Sequence, residues 1–302
     1  MQEEKREVAP NRYPIFNTYV NALSMDETVD YVKRVIARRT PPVQHVVINA
    51  LKVNLMEKDP DFETEKYYSS AFRSGQYGDV QYALPYETVP TLMFVNKTLL
   101  AKEGIALPNP DWNWDTMYSI CQKVTRDTNE DGVIDQFGCY NFGWQNAVYS
   151  NNGEIFEPDG KESNFTDEKV TEAIQFTRRL NDLYQGEKVT QEDFNAGHVV
   201  FMPLTFAEYR TYKTYPYKIK RYANFQWDCI TMPAGYQGGN LSQVDSLLIG
   251  ISAHTKHEQL AWEFLKLLTY DEKIQTEIFR SSQGASVLKK VTESKGLASS
   301  VP

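Results

Sequence analysis

Apolar residues recur at helical spacing early in the chain and at mixed helical and alternating spacing later, and the change of rhythm falls near residue 67. In the first stretch Val29, Val32, Val35 and Ile36 share one face of a predicted helix. Ser24-Met25-Asp26-Glu27 opens that helix in the S-x-x-E form of a capping box. Asp26, Glu27 and Asp30 stand in its first turns and Lys33, Arg34, Arg38 and Arg39 toward its end, the order that the helix dipole favours. Thr40-Pro41-Pro42 stops it, and Val43-Gln44-His45-Val46-Val47-Ile48 predicts a short buried strand leading to Asn49. A second short helix with Leu51, Leu55 and Met56 inward ends near Asp59-Pro60. Over residues 67–79 small and polar side chains show no period, which places a junction there and divides the chain into 1–66 and 67–302.

Beyond the junction, Tyr82-Ala83-Leu84-Pro85-Tyr86 and Leu92-Met93-Phe94-Val95-Asn96 are strong strand signals, and helices and strands then alternate. Asn113 is placed to cap a helix whose apolar stripe is Met117, Ile120, Cys121 and Val124. A long helix is predicted over 167–184, with Val170, Ala173, Ile174, Thr177 and Leu180 inward and Gly186 ending it. Thr255-Lys256-His257-Glu258 has capping-box form ahead of Leu260, Ala261, Phe264, Leu265 and Leu268. The alternation argues for an α/β architecture.

Composition narrows the partners. The chain of 302 residues is 41% hydrophobic, enough for ordinary cores, and 40 acidic against 32 basic side chains give a formal net charge of -8. Without a basic cluster there is no electrostatic footprint for nucleic acid. No run of about 18 apolar residues predicts a transmembrane helix. Tyr is the commonest aromatic, and its flat apolar face with a hydrogen-bonding tip suits a site that stacks on a ring and satisfies hydroxyls. Cys121, Cys139 and Cys229 show no CxxC spacing and read as free thiols. None of the four histidines, at 45, 198, 254 and 257, stands in a metal-ligand motif, and GxSxG and GxxxxGK are absent. No catalytic constellation is therefore expected.

One acidic loop carries candidate metal chemistry. Asp127, Asn129, Asp131 and Asp135 present the first oxygen ligands of a calcium loop in EF-hand order, but Gly138 stands where the bidentate acid belongs. Two readings stay open: a calcium site completed by water or another acid, and a metal-free turn held by Asx side chains and Gly132.

Several ordered strings beyond the junction resemble family-one extracellular solute-binding proteins of carbohydrate ABC transporters, the class of maltose-binding receptors. They are Tyr82-Ala83-Leu84-Pro85 with Phe94-Val95-Asn96-Lys97, Trp112-Asn113-Trp114-Asp115, the loop from Asp127 to Gly138, Asp193-Phe194-Asn195-Ala196-Gly197, and the phrase GISAHTKHEQLAWEFLKLLTYDE from Gly250 to Glu272. The resemblance implies a periplasmic-binding-protein-like fold of two α/β lobes joined by crossing strands. It implies a sugar or oligosaccharide in the cleft, closure by hinge bending, ABC permease subunits as partners, no required cofactor, and an extracellular or cell-surface place. By position it points to Tyr86 and Glu87 after the crossing proline, and to Tyr140, Phe142, Trp144 and Gln145 after the acidic loop. It points also to Phe206, Glu208, Tyr209 and Tyr212 after the strand at 199–202, and to Asp245 and Ser246 before the last crossing strand. The family's opening βαβ-rich stretch is not matched, so the first lobe is expected to be incomplete. Residues 1–10, MQEEKREVAP, lack the apolar run of a signal peptide, so the chain as written reads as cytoplasmic.

A second resemblance covers residues 13–62. Asn21-Ala22-Leu23-Ser24-Met25-Asp26-Glu27, His45-Val46-Val47-Ile48-Asn49-Ala50 and Asn54-Leu55-Met56 with Asp59-Pro60 are similar to the opening of WecG/TagA/CpsF glycosyltransferases. It implies an active-site role for Asn49, with Val47 where that family has Thr, and no acid follows to serve as general base. The alternative function is thus a truncated, inactive glycosyltransferase fusion.

Overall fold

A computed structural model describes residues 56, 59–77, 80–157, 162–214 and 225–294. The helix predicted after Ser24, the strand over 43–48, Asn49 and all but Met56 of the short helix that follows lie outside the described residues.

The architecture is mixed α/β and is organised on one strand. In chain order the described elements are α1 (Ser69–Arg73), β1 (Gln76–Tyr77), β2 (Val80–Gln81), β3 (Ala83–Asn96), α2 (Lys97–Lys102), α3 (Trp114–Val124), β4 (Phe137–Cys139), α4 (Trp144–Ser150), α5 (Glu168–Asp182) and α6 (Gln191–Asn195). There follow β5 (Val199–Thr205), α7 (Phe206–Thr214), β6 (Trp227–Ile230), β7 (Val244–Gly250), α8 (Glu258–Tyr270), α9 (Glu272–Ser281) and α10 (Lys289–Thr292). The two strand signals at 82–86 and 92–96 are one continuous strand of 14 residues, β3. Its first half pairs antiparallel with β7, from Ala83 opposite Gly250 to Pro90 opposite Val244. Its second half lies between β5 and β6, antiparallel to both, with Thr91 opposite Thr205 and Met93 opposite Ile230. The prolines fall where the ladder tolerates a missing N–H. Pro85 borders the bulge that leaves Tyr86 unpaired, and Pro90 ends the pairing with β7.

This exchange of partners gives β3 two sets of surroundings. Leu84 joins Tyr67, Phe72, Ile251, Trp262, Leu265, Phe279 and Leu288 in one core, built largely from the C-terminal helices. Met93 and Val95 face a second core with Trp114, Met117, Phe176 and Leu180, while Phe94 turns to a third with Phe137, Phe194 and Met202 on the other side of the sheet. Adjacent side chains of a strand point to opposite faces, so a strand covered on both reads as an unbroken apolar run. The stretch before β3, where no period was visible, docks on the C-terminal helices: Tyr67 Oη donates to Thr269 Oγ1 at 3.1 Å and Tyr68 N to the Val287 carbonyl at 3.1 Å.

Local signals were met with three corrections. Asn113 caps α3 as expected, its Oδ1 accepting from Thr116 N at 3.0 Å. In α5 the inward residue is Phe176, stacked on Trp114 at 4.4 Å, whereas Ile174 is 37% exposed. In α8 Trp262 takes the core position and Leu260 is 49% exposed. Thr255 does not cap α8; its Oγ1 accepts from His257 N, and the helix begins at Glu258.

Candidate functional site

Strand direction defines one edge of the sheet. β5 and β6 both run antiparallel to β3, and β4 runs parallel to β5, so β4, β5 and β6 share one direction. Their last residues, Cys139, Thr205 and Ile230, therefore lie toward one edge, where β3 passes over to its partnership with β7. Carboxyl ends of parallel strands are where open α/β sheets bind ligands, because the following loops diverge there. Most residues marked from the sequence sit on the segments leaving this edge.

After β4, Tyr140 is half-buried against the core around Phe94, with its N–H donating to the Phe201 carbonyl at 2.9 Å. Phe142 is buried, its ring edge-on to Phe176 at 6.1 Å, and so belongs to the packing beneath the loop. Trp144 opens α4 half-exposed, 5.6 Å from the ring of Phe165, and Gln145 is exposed beside it. After β5, Phe206 and Tyr209 stack at 5.8 Å and 26°. Burial, then the neighbouring Cys229 thiol, raises the Tyr209 hydroxyl above its usual pKa. Glu208 is spent locally: its carboxylate accepts from Thr205 N and Oγ1 at 2.8 and 2.9 Å, while Thr205 Oγ1 accepts from Glu208 N. That reciprocal cap starts α7. Tyr212 lies in α7, and its side chain is outside what the structure describes.

On the crossing strands, Asp245 pairs with Val89 and its Oδ1 accepts from Gln243 Nε2 at 3.0 Å. Ser246, opposite Thr88, has a buried hydroxyl with no hydrogen-bond partner. Tyr149 of α4 was missed by sequence reasoning. It is half-buried, and burial followed by the charge of Asp245 holds its hydroxyl pKa above the usual value. The available signal was its position four residues after Gln145, on the same face of α4. Tyr86 occupies the bulge of β3, with its carbonyl accepting from Gln275 Nε2 at 2.9 Å. Glu87 is buried, its carboxylate accepting from Gly284 N. Burial is the largest influence on it and raises its pKa, against the Gly284 amide, the Ser282 hydroxyl and the charge of Arg210.

The acidic loop lies away from that edge and is closed on itself. Asp127 Oδ1 accepts from Asn129 N and Glu130 N at 3.1 and 2.7 Å, and its Oδ2 from Gly132 N at 2.7 Å. Asp135 accepts from Thr128 N and Oγ1, both at 2.8 Å. These amides, Gly132 first, hold the Asp127 carboxyl below its ordinary pKa. Among the described residues no group of three or more His, Cys, Asp and Glu side chains is arranged to hold a metal ion. A concavity of about 200 Å³ between this loop and Asn96, Gly197 and His198 lies at the opposite edge of the sheet. An open groove of about 570 Å³ runs along α5 from Trp144 and Phe165 to Asn181.

A family model for bacterial extracellular solute-binding proteins matches residues 18–301. The chain belongs to this family. Its match as a solute-binding protein runs through the segment that resembles a glycosyltransferase opening, and nothing supports the transferase alternative. Among solved structures the chain is similar to an ABC substrate-binding protein from Listeria monocytogenes in complex with cycloalternan, at 18% identity and TM-score 0.60, covering 82% of this chain and 63% of that one. It is similar to the cyclic alpha-maltosyl-1,6-maltose binding protein of Arthrobacter globiformis at 16% identity and TM-score 0.64, covering 83% and 64%. A third is the sugar-binding protein MalE of Xanthomonas citri, at 13% identity and TM-score 0.64, again covering 83% and 64%. These likenesses establish the two-lobed fold, and this solute-binding chain spans just under two thirds of the length of each of these structures. No curated protein matches its sequence. No helix among the described residues is long and apolar enough to cross a membrane.

Proposed function

We propose that the chain is the substrate-binding component of a carbohydrate ABC transporter, holding a sugar or oligosaccharide between its lobes and presenting it, outside the cell membrane, to permease subunits. The observation that carries this reading is topological: the segments bearing Tyr140, Trp144 and Tyr209 leave the edge where β4, β5 and β6 end and β3 and β7 cross, and the charge of Asp245 on β7 reaches Tyr149 of α4. Aromatic faces take the apolar side of a pyranose, and carboxylate and hydroxyl groups take its hydroxyls. Tyr140, Trp144, Tyr149 and Tyr209 supply the faces. Gln145, Asp245 and Ser246 supply the polar partners, and the Ser246 hydroxyl is without one of its own. Phe142, Glu87 and Glu208 we assign to the frame beneath them, because each is already committed to packing or to a backbone amide. Phe206 and Tyr86 border the site from α7 and from the bulge. Support also comes from the solved structures that it resembles, which are described as in complex with cycloalternan, as a cyclic alpha-maltosyl-1,6-maltose binding protein and as a sugar-binding protein. The resemblance of residues 13–62 to a transferase we take as incidental.

A thermal-shift panel tests the reading. A ligand that binds only the folded chain raises its melting point by mass action, so at about 100 times Kd the stabilisation is about 2.7 kcal/mol. At least one manno- or malto-oligosaccharide is expected to raise the melting temperature. No shift across mono-, di- and trisaccharides and sugar alcohols would overturn the proposal.

A further inference from the structure

Between the lobes runs the ribbon of β3 and β7. A two-stranded ribbon resists stretching but twists and bends readily, because no third strand braces it. α7 supplies a brace away from the ribbon. Its first residue, Phe206, packs against the core of the C-terminal helices, whereas Tyr209, one turn on, packs with Phe94 and Trp227 in the sheet lobe.

Arg210 extends this bridge. Its guanidinium Nη1 donates to the carbonyls of Phe279 and Gly284, the second at 3.0 Å, and Nη2 donates to the Arg280 carbonyl at 3.3 Å. Phe279 and Arg280 lie in the last turn of α9, whose unpaired carbonyls form the negative end of the helix, the place where a cation is favoured. The guanidinium also sits 5.2 Å over the ring of Phe279. The loop that it holds is held again from the other side: Gly284 N donates to the Glu87 carboxylate on β3, and Ala285 exchanges backbone hydrogen bonds with Thr88 at 3.0 and 2.7 Å. α7, β3 and the end of α9 are thereby clamped around residues 282–285.

We infer that Arg210 is a positioning residue for ligand binding: its grip on the end of α9 is the off-axis tether that fixes the angle between the lobes before a ligand arrives. The part concerning the ligand rests on the receptor reading; the part concerning the angle does not. Rigidity of this kind favours affinity because molecules at unsuitable angles do not bind, and apparent Kd rises as the competent fraction falls.

The test places nitroxide labels at Lys123→Cys on α3 and Gln259→Cys on α8, with Cys229→Ser, and measures the distance between them without ligand. Arg210→Ala is expected to broaden the distribution, and Arg210→Lys, which keeps the charge without the fork, to broaden it less. If Arg210→Ala does not fold, Arg210→Lys carries the same test. An unchanged distribution would overturn the tether. Sugar affinity measured on the same proteins is expected to fall about 3- to 10-fold in Arg210→Ala, as it does when only about a third to a tenth of molecules stay competent. A broadened distribution with unchanged affinity would remove Arg210 from binding. Absence of sugar binding by the parent protein would overturn the receptor reading while leaving the distance result to decide the tether.

Discussion

Glu87 shows how one residue can look like a ligand group and serve the frame. It follows the proline and tyrosine of the crossing strand, where an exposed carboxylate would meet a sugar, but the bulge at Tyr86 turns it inward onto Gly284. Burial then makes its charge costly, and the folded pKa lies above the ordinary value of 4.5 despite Arg210 nearby. The folded chain thus holds this proton more tightly than the unfolded chain. The stability from that difference is complete below pH 4.5 and is lost as pH rises through the folded pKa. Glu87→Gln keeps an acceptor for Gly284 and has no proton to lose. Its melting temperature relative to the parent protein should therefore improve as pH rises above 4.5 and level off once the folded carboxyl has ionised; melting curves across this rise check it, and a flat or opposite trend contradicts it. At Gly284 itself a Cβ would stand 2.4 Å from Glu87 Cγ and Oε1. Gly284→Ala should cost about 1–3 kcal/mol by overpacking, read as a lower urea midpoint at unchanged slope.

Elements whose determinants are local could be read from the sequence. Asn113 and α3, the glycine-terminated α6 with β5 after it, and the apolar runs that became β3 all depend on neighbours within a few residues. Where a distant partner decided the outcome, the sequence was silent or misleading. Ile174 and Phe176 differ little in periodicity, and the rings of Trp114 and Phe142 select Phe176. Trp262 rather than Leu260 is buried because its indole N–H reaches Asp59 at 2.9 Å, some two hundred residues away in the chain. The cap at Thr205 and Glu208 was legible in form, yet the glutamate reads equally well as a sugar acceptor until its bonds are seen. The acidic loop stands in between. Its Asx pattern was plain, and the structure turns Asp127 and Asp135 onto the loop's own amides. Calcium is accordingly expected to leave hydrogen exchange at residues 128–133 unchanged, whereas Asp127→Ala should raise exchange at Glu130 and Gly132. Calcium-dependent protection of the same amides would instead place an ion there.

At the scale of the molecule, the lobed α/β plan was visible in the alternation of helices and strands and in the ordered family strings, while the contents of the cleft edge were visible only in part. Position after a strand end pointed to Tyr140, Trp144 and Tyr209, which are half-buried on the segments that follow the strands, but could not separate them from Phe142, which the same loop turns into the core. Tyr149 and Arg210 escaped because their significance comes from Asp245 and from the end of α9, contacts made by folding across long separations. On the proposed reading, binding falls to a small set of faces on one edge, braced by α7 and hinged on β3. Its central claim is tested most directly by calorimetric titration of the parent protein and of Trp144→Ala with the oligosaccharide that gives the largest thermal shift. The account predicts saturable one-site binding by the parent and about tenfold weaker binding by the variant, the loss of about 1.4 kcal/mol expected for one stacking face. Equal affinity in the two proteins, or no heat from either, would contradict it.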